Sequence, residues 1–277
     1  MKRIVGDETF FTHLEYAQKC VDLLALHFDL AEFDNIIEPS AGTGVFVELL
    51  KNFRLEAIDI RPRHESVAKA DFFLWSPSGR GRTLVIGNPP FGQRASLAVK
   101  FLERAMHFSD VVAFVLPRSF QKYTFQNRVD SSFHLVDSLL GDQFVGEDGT
   151  PIRVKTVFQI WERRNYQRSK VVAVESHEHF SMRHAHLSRI SASQLEALRD
   201  GFSFAIPQAG SNFFPKGSRE ITRGSWWFIS PHQEGVREIF EQLDFSFIDN
   251  MNTFHKSLSK ADIITAYSNA LVRNELM

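Results

Sequence analysis

The chain has 277 residues, 43% of them hydrophobic, with 27 Phe against 4 Tyr and 4 Trp. That is enough apolar material for one large domain, or for an ordinary domain plus a smaller one. A formal net charge of −1 gives no support to tight non-specific nucleic-acid binding, and the single cysteine, Cys20, excludes an intramolecular disulfide and a cysteine-based zinc site. No run of 18 apolar residues spells a membrane span, and the N-terminus lacks the long apolar stretch of a signal peptide, so a cytoplasmic protein is expected.

Leu14, Ala17, Val21, Leu24 and Phe28 recur at helical spacing, with Thr12 as the expected N-cap and Glu15 completing a capping box. Asn35–Ile37 is the first expected strand. It runs into Glu38-Pro-Ser-Ala-Gly-Thr-Gly44, and Val45–Leu50 then reads as a helix. Gly42 and Gly44 allow a tight turn and close backbone approach to a ligand. Glu38 opens this loop and no Gly-Lys-Ser/Thr follows. An acidic group there disfavours a phosphate and favours a cation, which points to the amino-acid end of S-adenosylmethionine rather than to a dinucleotide.

Leu55–Ile60 is the second expected strand, and Asp59 near its end suits bidentate hydrogen bonding to a ribose diol. Thr83–Gly87 is a short apolar run that reads as a buried strand, stopped by Asn88-Pro89-Pro90-Phe91. Neither proline can donate to a ladder, so the strand ends in a rigid loop, on the edge where open α/β sheets bind ligands. The Asn88 amide oxygen and the Pro89 carbonyl are two acceptors for one –NH2, and Phe91 offers a face to a planar ring. Accepting both N–H bonds would draw the nitrogen toward tetrahedral geometry and free its lone pair for attack.

A helix is expected from Gly92 through Met106, and Asp110–Pro117 reads as the next buried strand. Arg94, Arg118 and Lys122 are the cations expected beside a substrate backbone. Phe133–Leu140 and Lys155–Trp161 read as two strands around a turn at Gly146–Pro151. Glu162–Lys170, with Arg163, Arg164, Arg168 and Lys170, reads as a linker or a nucleic-acid-facing segment. His177, His179, His184 and His186 lack the cysteines or ordered acids of a familiar metal site, so no metal is expected. Beyond them, Ser193–Arg199, Glu234–Leu243 and Lys260–Leu271 read as helices, and Phe202–Trp227 reads as β-rich.

The Gly-rich loop and Asn-Pro-Pro-Phe, about 44 residues apart and in this order, resemble the S-adenosylmethionine-dependent adenine-N6 DNA methyltransferases, in the motif order of Type I modification subunits. The resemblance covers roughly residues 8–163. It implies an α/β, Rossmann-like class I methyltransferase fold: a seven-strand, mostly parallel sheet closed by a C-terminal antiparallel hairpin. That domain would span 1–165, with a small α+β region, a candidate substrate-recognition lobe, at 166–277. It implies S-adenosylmethionine as cofactor, held by Phe11, Thr12, Glu38, Pro39, Ala41, Gly42, Gly44, Asp59, Asp71, Phe72 and Asn88. In this pattern Asp71 bonds the cofactor's adenine amine and Phe72 packs on its ring. Asn88, Pro89, Pro90 and Phe91 would be catalytic, the substrate nucleic acid, with DNA favoured over RNA. Relatives carry Thr-Pro where this chain has Thr12-His13, and their target-recognition domains are larger. RNA adenine methylation, glutamine-N5 methylation of a protein, and a non-catalytic cofactor-binding subunit stay open, as do a partner subunit and a homo-oligomer.

Overall fold

The protein is described by a computed structural model that covers residues 10–172, 174–210, 212–245 and 257–275. The first nine residues, on which the absence of a leader was read, lie outside the described residues. The chain divides into two compact units between Val171 and Val172.

The first unit carries one eight-stranded sheet. Its strands are β1 (Phe10–Thr12), β2 (Asn35–Glu38), β3 (Leu55–Asp59), β4 (Ala68–Lys69), β5 (Thr83–Gly87), β6 (Val111–Pro117), β7 (Phe133–Gly146) and β8 (Pro151–Arg163). Their order across the sheet is β1-β7-β8-β6-β5-β2-β3-β4. The ladders among β4, β3, β2, β5 and β6 are parallel, and those joining β6 to β8, β8 to β7 and β7 to β1 are antiparallel. This is the Rossmann-like class I methyltransferase arrangement that the motifs implied, with one strand more than expected. The extra strand is β1. Phe10, Phe11 and Thr12 pair with Gly146, Val145 and Phe144 at the far end of the long hairpin.

Pairing in β1 also corrects the expected helix cap. Helix α1 runs Leu14–His27, and its N-cap is His13, whose Nδ1 accepts from the Glu15 N–H at 3.4 Å. Thr12 cannot cap because its backbone belongs to the ladder opposite Phe144. Leu14, expected on the apolar face, is 56% exposed, whereas Tyr16 and Cys20 are buried.

Helices α2 (Val45–Leu50) and α3 (Ser96–Phe108) and the short α4 (Tyr123–Gln126) complete the unit. Both sheet faces are covered, which is why β5 and β6 read as unbroken apolar runs. Alternate residues separate: Leu84 and Ile86 join Ala17, Cys20 and Leu24 of α1, while Val85, Val112 and Phe114 join Ala98, Leu102 and Ala105 of α3. Burial pushes the Cys20 thiol and the Tyr16 phenol up from their ordinary values.

Two of the four cations in the basic run at 162–170 are bonded to main-chain carbonyls. Arg163 donates from Nε to the Ser109 carbonyl at 3.1 Å and from a guanidinium nitrogen to Met106. Arg168 donates to the carbonyls of Phe133 at 2.9 Å and Val129 at 2.8 Å, and to Gln126. These guanidiniums satisfy carbonyls at helix and strand ends.

The second unit holds a four-stranded antiparallel sheet, ordered β11-β10-β12-β9, from β9 (Phe180–His186), β10 (Phe204–Pro207), β11 (Lys216–Gly217) and β12 (Ser225–Pro231). Helix α5 (Ala192–Gly201) starts in a capping box of Ser191 and Gln194. Helices α6 (Val236–Glu241) and α7 (Lys260–Glu275) follow. Phe180, Phe204, Ile206 and Ile229 pack on one side with Phe240, Ile263 and Tyr267; Ala185, Ala205 and Phe228 pack on the other with Leu198. The histidine-rich stretch splits: His177 stacks on Phe180 at 5.1 Å, His179 bonds Tyr267 Oη at 3.2 Å, and His184 bonds Ser225 Oγ at 2.8 Å. Among the described residues, no three His, Cys, Asp or Glu side chains gather as a metal site.

Candidate active site

Two loops leave neighbouring parallel strands at the same sheet edge. One follows β2, the other β5, and the strands are in register from Asn35–Thr83 to Ile37–Val85. Ser40 Oγ donates to the Asn88 carbonyl at 3.1 Å and ties the loops together.

The Gly-rich loop needs its glycines. Gly42 and Gly44 have φ of 51° and 79°, which side-chain-bearing residues rarely adopt. The Gly42 N–H donates to Asp59 Oδ2 at 2.8 Å, and the Arg61 N–H to Asp59 Oδ1 at 2.7 Å. Asp59, expected to hold a ribose diol, thus also buttresses the loop; each oxygen keeps a further lone pair. A Cβ on Gly44 would stand 2.6 Å from the His64 ring, and one on Gly42 would stand 3.0 Å from the Phe11 ring. Arg63 lies over the Phe11 ring, 5.0 Å from its centroid, and pairs with Glu147 in the β7–β8 turn.

Glu38 is 1% exposed, and its Oε2 has no hydrogen-bond partner among the described residues. Burial, with the Asp59 charge second, holds this carboxyl well above the usual carboxylate range. Asn88 Oδ1 and Thr12 Oγ1 are likewise buried without a partner. Stranded buried acceptors are costly and mark places where a native protein meets a ligand or water. Three of the six orphaned side-chain atoms among the described residues belong to Thr12, Glu38 and Asn88.

The structure brings together Glu38 at the end of β2, Pro39, Ala41, Gly42 and Gly44 in the loop after it, Asp59 at the end of β3 and Asn88 in the loop after β5, with Phe11 delivered onto Gly42 by β1. Pro39 and Ala41 are buried in the loop itself. Pro89 is buried, and Pro90 lies exposed at the loop tip. Phe91 is half-buried, with its ring edge-to-face with Phe10 at 5.2 Å. Its carbonyl accepts from Leu97 N–H at 3.1 Å, joining the loop to α3. Arg94 and Ala95 have φ of 51° and 62°, strained for non-glycine residues, so the segment behind Phe91 is held in a sparsely populated conformation.

Asp71 lies in a turn where its Oδ1 accepts from the Phe73 N–H at 2.9 Å. Phe72 is 2% exposed and stacks on Phe101 at 5.1 Å, so its ring is engaged in the α3 core. Arg94 is exposed and Lys122 half-buried. Arg118, expected on the substrate backbone, is 8% exposed and donates from Nε to the Thr156 carbonyl at 3.2 Å. Burial lowers its pKa from the ordinary arginine value. Sequence reasoning missed Gln159, which is 1% exposed and donates to the Phe120 carbonyl at 3.3 Å, holding the loop after β6. A glutamine within an apolar strand was the available signal.

No protein-family profile matches the chain. No curated protein matches it either. Among solved structures, a Pyrococcus horikoshii protein described as a candidate RNA methyltransferase is 18% identical, over 53% of this chain and 83% of its own, with a TM-score of 0.42. The Type I restriction-modification methyltransferase subunit of Streptococcus thermophilus is 15% identical, over 59% of this chain and 46% of its own, with a TM-score of 0.42. A Listeria monocytogenes protein described as a candidate class I S-adenosylmethionine-dependent methyltransferase is 14% identical, over 58% of this chain and 64% of its own, with a TM-score of 0.39. Likeness at this level carries no argument about substrate, so the chemistry rests on the loops.

Proposed function

We propose that the chain transfers a methyl group from S-adenosylmethionine to the exocyclic N6 amine of adenine in nucleic acid, with DNA favoured over RNA. The observation that carries this reading is the buried, unpartnered Asn88 Oδ1 at the end of β5, tied through its own carbonyl to the Gly-rich loop.

The residues suit that cofactor. A buried carboxyl at Glu38 with no ion pair to a cation among the described residues matches an α-ammonium, which would return its pKa toward the ordinary range. The turn at Gly42 and Gly44 and the acceptors of Asp59 would hold the remainder, with Phe11 over the loop. When bound, the cofactor supplies an electrophilic methyl on a sulfonium.

Asn88 Oδ1 and the Pro89 carbonyl would each accept one N–H of the target amine and hold its lone pair forward. The Phe91 ring would pack against the base, which must leave its stack or come from a single strand. The work of these residues is positioning and exclusion of water. No strong general base is required, because the methylated amine can lose its proton afterwards to water. A protein glutamine amide would suit the same two acceptors, but proteins with that activity carry Tyr where this chain has Phe91.

The test is methyl transfer from labelled S-adenosylmethionine to duplex DNA, single-stranded DNA, RNA and total protein, read by mass spectrometry of nucleosides and peptides. N6-methyladenine in a nucleic-acid pool supports the reading. Label in protein glutamine replaces it with the amide-methylating alternative. Cofactor binding with no transfer to any pool would favour a non-catalytic subunit.

A further inference from the structure

We infer that one end of the second unit's sheet, built from β9, β12 and the turns beyond them, is a contact surface for a nucleic-acid strand. This inference rests on the nucleic-acid substrate proposed above.

The two strands pair from Phe180–Pro231 to His186–Ser225, and the Leu187 N–H donates to the Gly224 carbonyl at 2.9 Å just past the last pair. That register sets Arg183 opposite Phe228. Arg189 follows β9 by three residues and Arg223 precedes β12 by two, so both lie in the turns just past the Leu187–Gly224 hydrogen bond. All three arginines are exposed. Among the described residues, none of their guanidiniums has an ion pair or a hydrogen bond. The same unit does pair arginines elsewhere: Arg199 with Glu196 at 2.6 Å, Arg219 with Asp200 at 2.5 Å, and Arg237 with Glu241 at 3.1 Å. The sequence agrees, since no Asp or Glu occurs between Glu178 and Glu196 or between Glu220 and Glu234.

The same two strand ends carry aromatic surface. Trp226 and Trp227 are both half-exposed, and as consecutive strand residues they face opposite sides of the sheet, Trp226 on the side of Arg183 and Phe228. Their indole N–H groups are already used, by the Arg223 carbonyl at 2.6 Å and the Leu258 carbonyl at 3.1 Å, so the surface left over is ring carbon. His184 lies beside Trp227 at 4.9 Å on the opposite face, so the ring that shares a face with Arg183 is that of Trp226. Unpaired guanidiniums fit phosphate oxygens, and flat ring faces next to them fit bases. The combination favours a polynucleotide with accessible bases over an anionic lipid surface, which would leave the rings without a stacking partner. A whole-chain charge of −1 hides such a surface because basic and acidic residues are segregated.

The test uses the whole chain, a fluorescein-labelled single-stranded DNA 20-mer, and anisotropy titrations across a salt series. The triple variant Arg183→Ser, Arg189→Ser, Arg223→Ser is expected to bind on the order of tenfold or more weakly. Its salt slope should fall by about 2, three contacts at roughly 0.7 each. Trp226→Ala is expected to weaken binding with the slope kept. Calorimetric binding of S-adenosylmethionine, unchanged in both variants, shows that the first unit is intact, and an unchanged circular dichroism spectrum and melting transition show the same of the second. Equal affinity and slope in wild type and triple variant overturn the inference, and so does wild-type binding to anionic lipid vesicles in preference to the oligonucleotide. The oligonucleotide titration is read without methyl transfer, so failure of this surface leaves the catalytic reading standing. Label in protein with intact oligonucleotide binding would remove only the catalytic reading.

Discussion

The ring of Phe11 lies against Gly42, so that a Cβ on this glycine would stand 3.0 Å from both Cδ1 and Cε1 of the ring. An edge strand of three residues thereby reaches the Gly-rich loop, while its neighbour Phe10 reaches Phe91 on the other loop. Gly42→Ala adds this contact to a φ of 51°, a conformation that costs a non-glycine residue about 1–2 kcal/mol. The expected outcome is at least tenfold weaker S-adenosylmethionine binding by calorimetry. Adding Phe11→Ala should relieve the contact but not the backbone strain, so the double variant recovers only part of the Tm.

Glu38 supplies a pH signature. Burial, then the Asp59 charge, raises its pKa in the folded state, so the folded protein holds a proton that the unfolded chain releases. The sign is therefore unfavourable to stability as pH rises from the ordinary carboxylate range toward the raised value. Glu38→Gln removes this penalty. It is expected to be more stable than wild type at pH 8 and similar near pH 4 in urea titrations, while losing cofactor affinity. Parallel stability curves for the two proteins across that range would count against a stranded carboxyl.

Gly141 is required by packing. A Cβ there would stand 2.0 Å from Cζ of Tyr16, which is 3% exposed in the α1 core. Gly141→Ala should cost on the order of 3 kcal/mol, the upper range for overpacking, and lower Tm by roughly 6–12 °C. A Tm within 2 °C of wild type would show that Tyr16 can move aside.

Arg118 separates a structural arginine from a substrate-binding one. Arg118→Ala leaves the Thr156 carbonyl without that donor and should cost about 1–3 kcal/mol. It should leave the salt slope of oligonucleotide binding unchanged. Lys122→Ala and Arg94→Ala, without side-chain partners among the described residues, should stay within about 0.5 kcal/mol of wild type in stability.

The sequence carried the strands that build the site. Asn35–Ile37 and Thr83–Gly87 are apolar runs ended by glycine- or proline-rich loops, and their registers follow from burial on both faces. It did not carry β1, because three residues have no periodicity of their own and the strand exists only through Gly146, Val145 and Phe144. Nor did it show that Arg118, Arg163 and Arg168 bond main-chain carbonyls, since a basic side chain that does so reads the same as one facing solvent. Phe72 was legible as apolar but not as a core residue stacked on Phe101 of α3.

The central claim is that the Asn88 amide oxygen holds the target amine. The most direct measurement is single-turnover formation of N6-methyladenine by wild type and Asn88→Ala, each saturated with S-adenosylmethionine and with cofactor affinity measured alongside. The expected result is cofactor binding within a few-fold of wild type and a loss of transfer by 100-fold or more, in the range found when one preorganised hydrogen-bonding group is removed from a catalytic site. Transfer at the wild-type rate by Asn88→Ala would contradict the account.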